Sequence, residues 1–190
     1  LALQIGMALA TGRSTLDNEP REPIDVLYLD WENSKLTQAR RLKRLGYELG
    51  EVDASHFHYA LYPDCAPITM KEGADEILAW IRETQSKVVV VDTLSRAFHG
   101  ELTTSDVHLA YANFVMPNRR MEDVKMFWLD HTGPDTSRAR DASTKTQRWE
   151  AEVLLSRDYR ARKATFTYTN KPAGWIAQQF SPTFHRGIVN

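Results

Sequence analysis

The chain has 190 residues, 42% of them apolar, so it is long enough to bury one sizeable hydrophobic core. Its 24 Lys and Arg residues are balanced by 25 Asp and Glu residues, which excludes a strongly basic nucleic-acid-binding composition. The lone cysteine, Cys65, excludes an intrachain disulfide and fits a reducing cytoplasm. The apolar run 1–10 is too short to cross a bilayer and has no secretory leader pattern, so we expect a soluble protein without a membrane partner.

The first predicted element is a helix over residues 1–12. It is apolar on nearly all sides and closed by Gly12, as expected for a helix packed against a sheet. The chain starts at Leu1, inside this helical pattern and without a capping residue before it. We therefore expect that the natural protein extends upstream of this chain.

Continuous apolar runs predict three buried strands, at 26–29, 88–91 and 125–129. A further short strand is predicted at 56–61, and helices are predicted at 34–45, from Met70 to Gln85, and from Val107 to Pro117. Alternating strands and helices predict an α/β fold, with a mainly parallel sheet and right-handed crossovers. The segments 93–105 and 132–143 are predicted to be long loops.

The pattern changes near residue 150. Glu152 to Tyr159 and Lys163 to Asn170 predict a strand pair, and Trp175 to Phe180 predicts a further edge strand. We interpret residues 1–190 as a single domain in which residues 151–190 form a C-terminal antiparallel extension.

Polar side chains follow each of the three buried strands. Asp30 and Glu32 follow the first, Asp92 the second, and Asp130 and His131 the third. The carboxyl ends of parallel strands meet at one edge of a sheet, where ligands bind. A strand that ends in Asp suits a magnesium nucleotide site, although a single such residue also serves as an ordinary cap of a strand or helix.

The order of these pieces resembles RecA-fold ATPases, in particular the RepA-type hexameric helicases of phages and mobile elements. Four segments carry this resemblance: Leu1 to Gly12, Val26 to Glu32, Val88 to Arg96 and Phe127 to Gly133. They are similar, in order, to the helix after the Walker A loop, the catalytic-glutamate strand, the Walker B strand and the sensor strand. The resemblance covers residues 1–160 and implies a RecA-like P-loop core that begins just after its phosphate-binding loop.

The resemblance implies a role for each strand end in the use of ATP and Mg²⁺. Glu32 would polarise the attacking water, and Asp92 would hold Mg²⁺ through water. Thr93 would join the network around Asp92, while Asp30 would orient neighbouring groups. His131 would sense the γ-phosphate, although a simple hydrogen-bonded histidine at a strand end is the alternative.

The loop after the third strand carries three basic residues, Arg138, Arg140 and Lys145. In relatives, basic residues at this place reach a neighbouring subunit's nucleotide, and solvated loop charges are the equal alternative. Two departures from the usual pattern, Asp130 and Asp141, weaken this assignment.

The implied assembly is a homo-oligomer, a hexameric ring acting on single-stranded DNA. Candidate DNA-binding segments are 95–104, with Arg96 and His99, and the loop with Arg138 and Arg140. The basic helix at 34–45 is interpreted as a solvated face. Two alternatives stay open: a nucleotide switch such as a helicase loader, and a non-hydrolysing interaction module, because the chain contains no Gly-x-x-x-x-Gly-Lys-Ser/Thr motif.

Overall fold

The computed structural model describes residues 1–14, 22–53, 55–98, 109–115, 124–131, 152–158, 163–170 and 179–180. The chain divides into two compact units, Leu1–His131 and Thr132–Asn190. In chain order, the first unit contains α1 (Ala2–Thr11), β1 (Val26–Asp30), α2 (Lys35–Arg44), α3 (Leu49–Asp53), β2 (Phe57–Leu61), α4 (Lys71–Glu83), β3 (Val88–Asp92), α5 (Leu94–Ala97), a π-helix (Tyr111–Val115) and β4 (Lys125–Leu129). The second contains β5 (Glu152–Asp158), β6 (Lys163–Asn170) and β7 (Gln179–Phe180).

The four strands of the first unit form one all-parallel sheet in the order β2-β1-β3-β4. Their register is level, since Asp30 of β1 lies opposite both Leu61 of β2 and Asp92 of β3. Asp92 in turn lies opposite Leu129 of β4. The strands therefore end together at one edge of the sheet, and the predicted α/β fold is confirmed.

The two central strands are buried at all five of their positions, as their continuous apolar runs predict. Helix α1 covers one face of this sheet and ends where Gly12 adopts a left-handed φ of 70°. The core between them contains Leu3, Met7, Ala10, Val26, Tyr28, Leu42, Tyr47, Phe57, Val88 and Val90.

Helix α4 follows the predicted apolar spacing. It buries Ala74, Ile77, Leu78 and Ile81, whereas Met70, also expected on this face, is the exposed N-cap residue. Of the described helices, none combines the length and apolar character that crossing a lipid bilayer requires.

Three expectations for the first unit need correction. Strand β4 is present, but it is not buried like β1 and β3: Phe127 is 47% exposed, because β4 lies at one edge of the four-stranded sheet, with β2 at the other. The expected loop after Asp92 contains the short helix α5. The expected helix around Phe114 is a π-helix in residues 111–115, although Ala110 and Phe114 are buried as predicted.

The second unit contains the predicted antiparallel strand pair. Strands β5 and β6 pair along their length, with Leu154 opposite Thr167. Strand β7 pairs with the other edge of β6 through Gln179 and Phe180, which lie in the strand predicted at 175–180. Residues 175–178 lie outside the described residues.

Candidate functional site

The ends of β1, β3 and β4 converge on the carboxylate of Glu32. The Thr93 hydroxyl donates a hydrogen bond to Glu32 Oε2 at 3.2 Å. On the other side of the carboxylate, His131 Nε2 lies 3.6 Å from Glu32 Oε1. Residues separated by about a hundred positions in the chain thus meet at one point, because parallel strands end at the same edge.

Asp30 is a fully buried carboxylate whose two oxygens are both occupied. Its Oδ1 accepts hydrogen bonds from the backbone N–H groups of Glu32 and Asn33, each at 2.9 Å. Its Oδ2 accepts from the Tyr59 hydroxyl at 2.7 Å and from the Gln38 amide. Asp30 therefore ties the segment that carries Glu32 to β2 and α2.

These hydrogen bonds also explain the ionisation of Asp30. Burial alone would raise its pKa, but the hydrogen bonds from Gln38, Tyr59 and the backbone outweigh that effect and hold the pKa below its usual range. The group stays an acceptor at neutral pH.

Asp92 differs from Asp30 because only one of its oxygens accepts a hydrogen bond from the described residues. The Tyr28 hydroxyl donates to Asp92 Oδ2 at 2.7 Å, and Oδ1 has no hydrogen-bond partner in the described part of the chain. Burial, together with the charges of Asp30 and Glu32, raises the pKa of Asp92, although the Tyr28 hydrogen bond opposes the rise. Asp92 therefore keeps one oxygen available for another ligand.

Sequence reasoning missed the two tyrosines that support these carboxylates. Tyr28 and Tyr59 lie opposite each other in the register of β1 and β2, with ring centroids 5.8 Å apart. Burial is the main cause that raises the pKa of both phenols, so each remains a hydrogen-bond donor. For Tyr28 the sequence signal was its place in an otherwise aliphatic run two positions before Asp30, whereas the segment around Tyr59 has no such signal.

Trp31 connects the two central strand ends. Its backbone N–H donates to the Asp92 carbonyl at 2.7 Å, and its indole is buried. The indole Nε1 has no hydrogen-bond partner in the described residues, an uncommon state for a buried donor. The peptide bond between Asp92 and Thr93 on the neighbouring strand is cis.

The donor chemistry of this site fits Mg²⁺ held with a nucleotide. In the described ranges, no three His, Cys, Asp or Glu side chains group closely enough to hold a metal ion. Mg²⁺ usually keeps several waters and takes only one or two carboxylates, with phosphate oxygens completing its shell. Asp92, with one free carboxylate oxygen, fits a contact of that kind through water.

The sequence also predicted basic and imidazole side chains as candidate site residues. Arg138, Arg140, Lys145 and His99 lie outside the described residues, and Arg96 is an exposed residue of α5. Cys65 is half-buried, and burial, with Glu76 and Asp64 nearby, raises the pKa of its thiol to about 11, which suits an unreactive cysteine.

Comparison with known protein families identifies the family to which this chain belongs. A model of the AAA domain matches residues 1–136, which contain the whole parallel sheet and every residue of the cluster around Glu32. No curated protein matches the chain. The chain belongs to the AAA domain family, so it contains a nucleotide-binding ATPase domain.

Proposed function

We propose that this ATPase domain hydrolyses ATP with Mg²⁺, using Glu32 as the group that polarises the attacking water. The convergence of Thr93 and His131 on the Glu32 carboxylate carries this proposal. A catalytic base must be held in place yet reach the substrate. Glu32 meets both requirements, since its side chain is about one-third exposed and its backbone is fixed by Asp30.

The other two carboxylates at the strand ends have different proposed roles. Asp92 would hold Mg²⁺ through water with the oxygen that does not accept from Tyr28, and Asp30 positions the turn that carries Glu32. Mg²⁺, when bound with ATP, neutralises charge on the phosphate oxygens.

His131 is proposed as the sensor of the γ-phosphate. It is exposed, and its ring nitrogen lies 3.6 Å from Glu32, so a nearby phosphate competes directly with Glu32 for the imidazole. Arrival or loss of that phosphate would therefore change the position of His131 and of the chain after it.

We further propose that the domain works in a DNA-replication helicase assembled as a hexameric ring, with Arg138, Arg140 and Lys145 facing a neighbour's nucleotide. The resemblance to RepA-type helicases supports this finer assignment. The test measures ATP hydrolysis with and without single-stranded DNA, alongside strand separation on a forked duplex. DNA-stimulated hydrolysis with unwinding supports the helicase, whereas slow hydrolysis without unwinding indicates a nucleotide switch such as a loader.

A second candidate, an interaction module that does not hydrolyse ATP by itself, rests on one sequence observation. The 190 residues contain no Gly-x-x-x-x-Gly-Lys-Ser/Thr motif to cradle the triphosphate. We therefore expect the 190-residue chain alone to bind Mg-ATP weakly or not at all. Micromolar binding in a calorimetric titration of this chain would contradict that expectation.

A further inference from the structure

Helix α2 presents a concentrated positive charge that the proposed catalytic cluster does not use. Its ten residues include five cations and no acid, although the whole chain has a net charge of −1. All five cations are exposed: Lys35, Arg40, Arg41, Lys43 and Arg44.

None of these five cations has an ion-pair partner in the described part of the chain. Arg40, Lys43 and Arg44 lie away from the side of the helix that carries Gln38 and Leu42, and we call them the basic face of α2. Arg41 differs, because its guanidinium approaches the Gln38 side chain at 3.5 Å and its charge favours the ionised form of Asp92. We therefore leave Arg41 out of the basic face.

Helix stability alone does not account for the positions of the cations along α2. Cations in the last turn interact favourably with the helix dipole, which covers Lys43 and Arg44. Lys35 at the first helical position opposes the dipole, and Arg40 has like charges three and four residues later. The helix thus carries positive charge at positions that disfavour it.

The opposite side of α2 is fixed to the protein core. Leu42 packs in the core cluster, and Gln38 donates to Asp30. This anchoring holds the cations in a fixed array facing solvent, instead of on a flexible tail. A fixed array loses less conformational entropy when it binds a partner.

The side chains of the basic face of α2 fit a polyphosphate partner better than a membrane or a protein. A membrane-surface helix needs an apolar face to insert, but the apolar side of α2 is buried and only Leu36 among its large apolar residues is exposed. A protein interface is usually anchored by aromatic residues, and α2 contains none. Closely spaced Arg and Lys without pockets suit the repeating phosphates of a nucleic-acid backbone.

We propose that the basic face of α2 binds the phosphate backbone of nucleic acid without reading its sequence. Its residues come from a different segment of the chain than the candidate DNA-binding segments at 95–104 and around Arg138 and Arg140. The proposal does not depend on ATP hydrolysis, because it requires only the charges of α2 and their placement.

The test compares two triple variants of the protein that have the same charge change. One carries Arg40→Gln, Lys43→Gln and Arg44→Gln on α2. The control carries Lys71→Gln, Arg82→Gln and Lys87→Gln, three exposed cations elsewhere on the first unit. Fluorescence anisotropy with a labelled 30-nucleotide thymidine oligomer gives the dissociation constant at several salt concentrations, and circular dichroism checks that each variant is folded.

For the α2 variant we expect at least about tenfold weaker binding at low salt. The slope of log affinity against log salt should fall by about 2, since each single-strand phosphate contact contributes roughly 0.7. The control variant should keep the slope of the unaltered protein. Equal losses in both variants, or no change in the α2 variant, would overturn the proposal.

Two competitors test the class of partner. Excess unlabelled single-stranded DNA should displace the labelled oligomer, while polyglutamate and phosphatidylserine vesicles at equal charge should displace it far less. Equal competition by either would overturn the assignment to nucleic acid. ATP hydrolysis is measured on the unaltered protein in the same experiments, so absence of hydrolysis together with the expected loss of binding in the α2 variant would count against the proposed function alone.

Discussion

The hydroxyl of Thr93, just after β3, lies 3.2 Å from Oε2 of Glu32, which follows β1. These residues are 61 positions apart in the chain. Their contact results from the level register of the two strands, in which Asp30 lies directly opposite Asp92. The proposed chemistry depends on this alignment.

Asp92→Asn should weaken the use of Mg²⁺ while leaving the fold intact. The substitution keeps the size of the side chain and can still accept the Tyr28 hydrogen bond, but it removes the negative charge next to the free oxygen. We expect the Mg²⁺ concentration for half-maximal hydrolysis to rise at least about tenfold, an effect of about 1.4 kcal/mol. An unchanged Mg²⁺ requirement would show that Asp92 does not serve the metal.

Tyr28→Phe should destabilise the protein by about 2 kcal/mol, because it leaves a buried carboxylate oxygen without its donor. Urea unfolding measures the change. Tyr47→Phe is the matched control, since Tyr47 is also buried but its ring lies under the Arg13 guanidinium, and its hydroxyl is not among the described donors to Asp30 or Asp92. A loss in Tyr28→Phe no larger than in this control would contradict the assigned hydrogen bond.

Asp25 gives a pH-dependent prediction. Its Oδ1 contacts His58 Nε2 at 2.8 Å and His56 Nδ1 at 3.1 Å. Burial raises the pKa of Asp25, but the two histidines outweigh that effect and lower it below 3.8. A lowered folded-state pKa adds stability that is present above the unfolded value and is lost as the pH falls through the folded value.

Asp25→Asn should therefore reduce the free energy of unfolding at pH 7 by up to about 1 kcal/mol, a small effect because the groups are partly exposed. The difference from the unaltered protein should shrink as the pH falls below 3.8. Asp64→Asn, an exposed aspartate on the loop after β2, is the control. A difference that grows towards acid would have the wrong sign.

Gly73 of α4 tests the packing of the parallel-sheet unit. A Cβ atom at this position would lie 2.0 Å from the carbonyl oxygen of Ala66, too close for any side chain. Gly73→Ala should cost more than about 3 kcal/mol, because the backbone around Ala66 would have to move. Gly50→Ala in α3, where no atom lies within 4 Å of the added carbon, should be neutral or stabilising in the same thermal unfolding assay.

The sequence predicted the sheet well because strands β1 and β3 are short aliphatic runs that end in an acid. The same reasoning was wrong for β4, since the run Lys125–Leu129 identifies a strand but not its place at the sheet edge, where Phe127 is exposed. The juxtaposition of Glu32, Thr93 and His131 was predictable from parallel strand ends.

The supporting contacts could not be predicted from sequence. The Tyr28 hydroxyl reaches Asp92 across 64 positions, and Tyr59 reaches Asp30 across 29. Such pairs depend on register and on which side chains share a face, which a single sequence leaves open. The roles proposed for Arg138, Arg140 and Lys145 stay predictions.

The most direct test of the proposed function is Glu32→Gln in the natural protein that contains this domain. We expect nucleotide binding to be retained and ATP turnover to fall at least about 100-fold, because the amide cannot polarise water as a carboxylate does. Glu76→Gln, an exposed residue of α4, is the matched control and should keep normal turnover. Equal turnover in Glu32→Gln and the unaltered protein, with nucleotide binding intact in both, would contradict the assignment of Glu32 as the catalytic base.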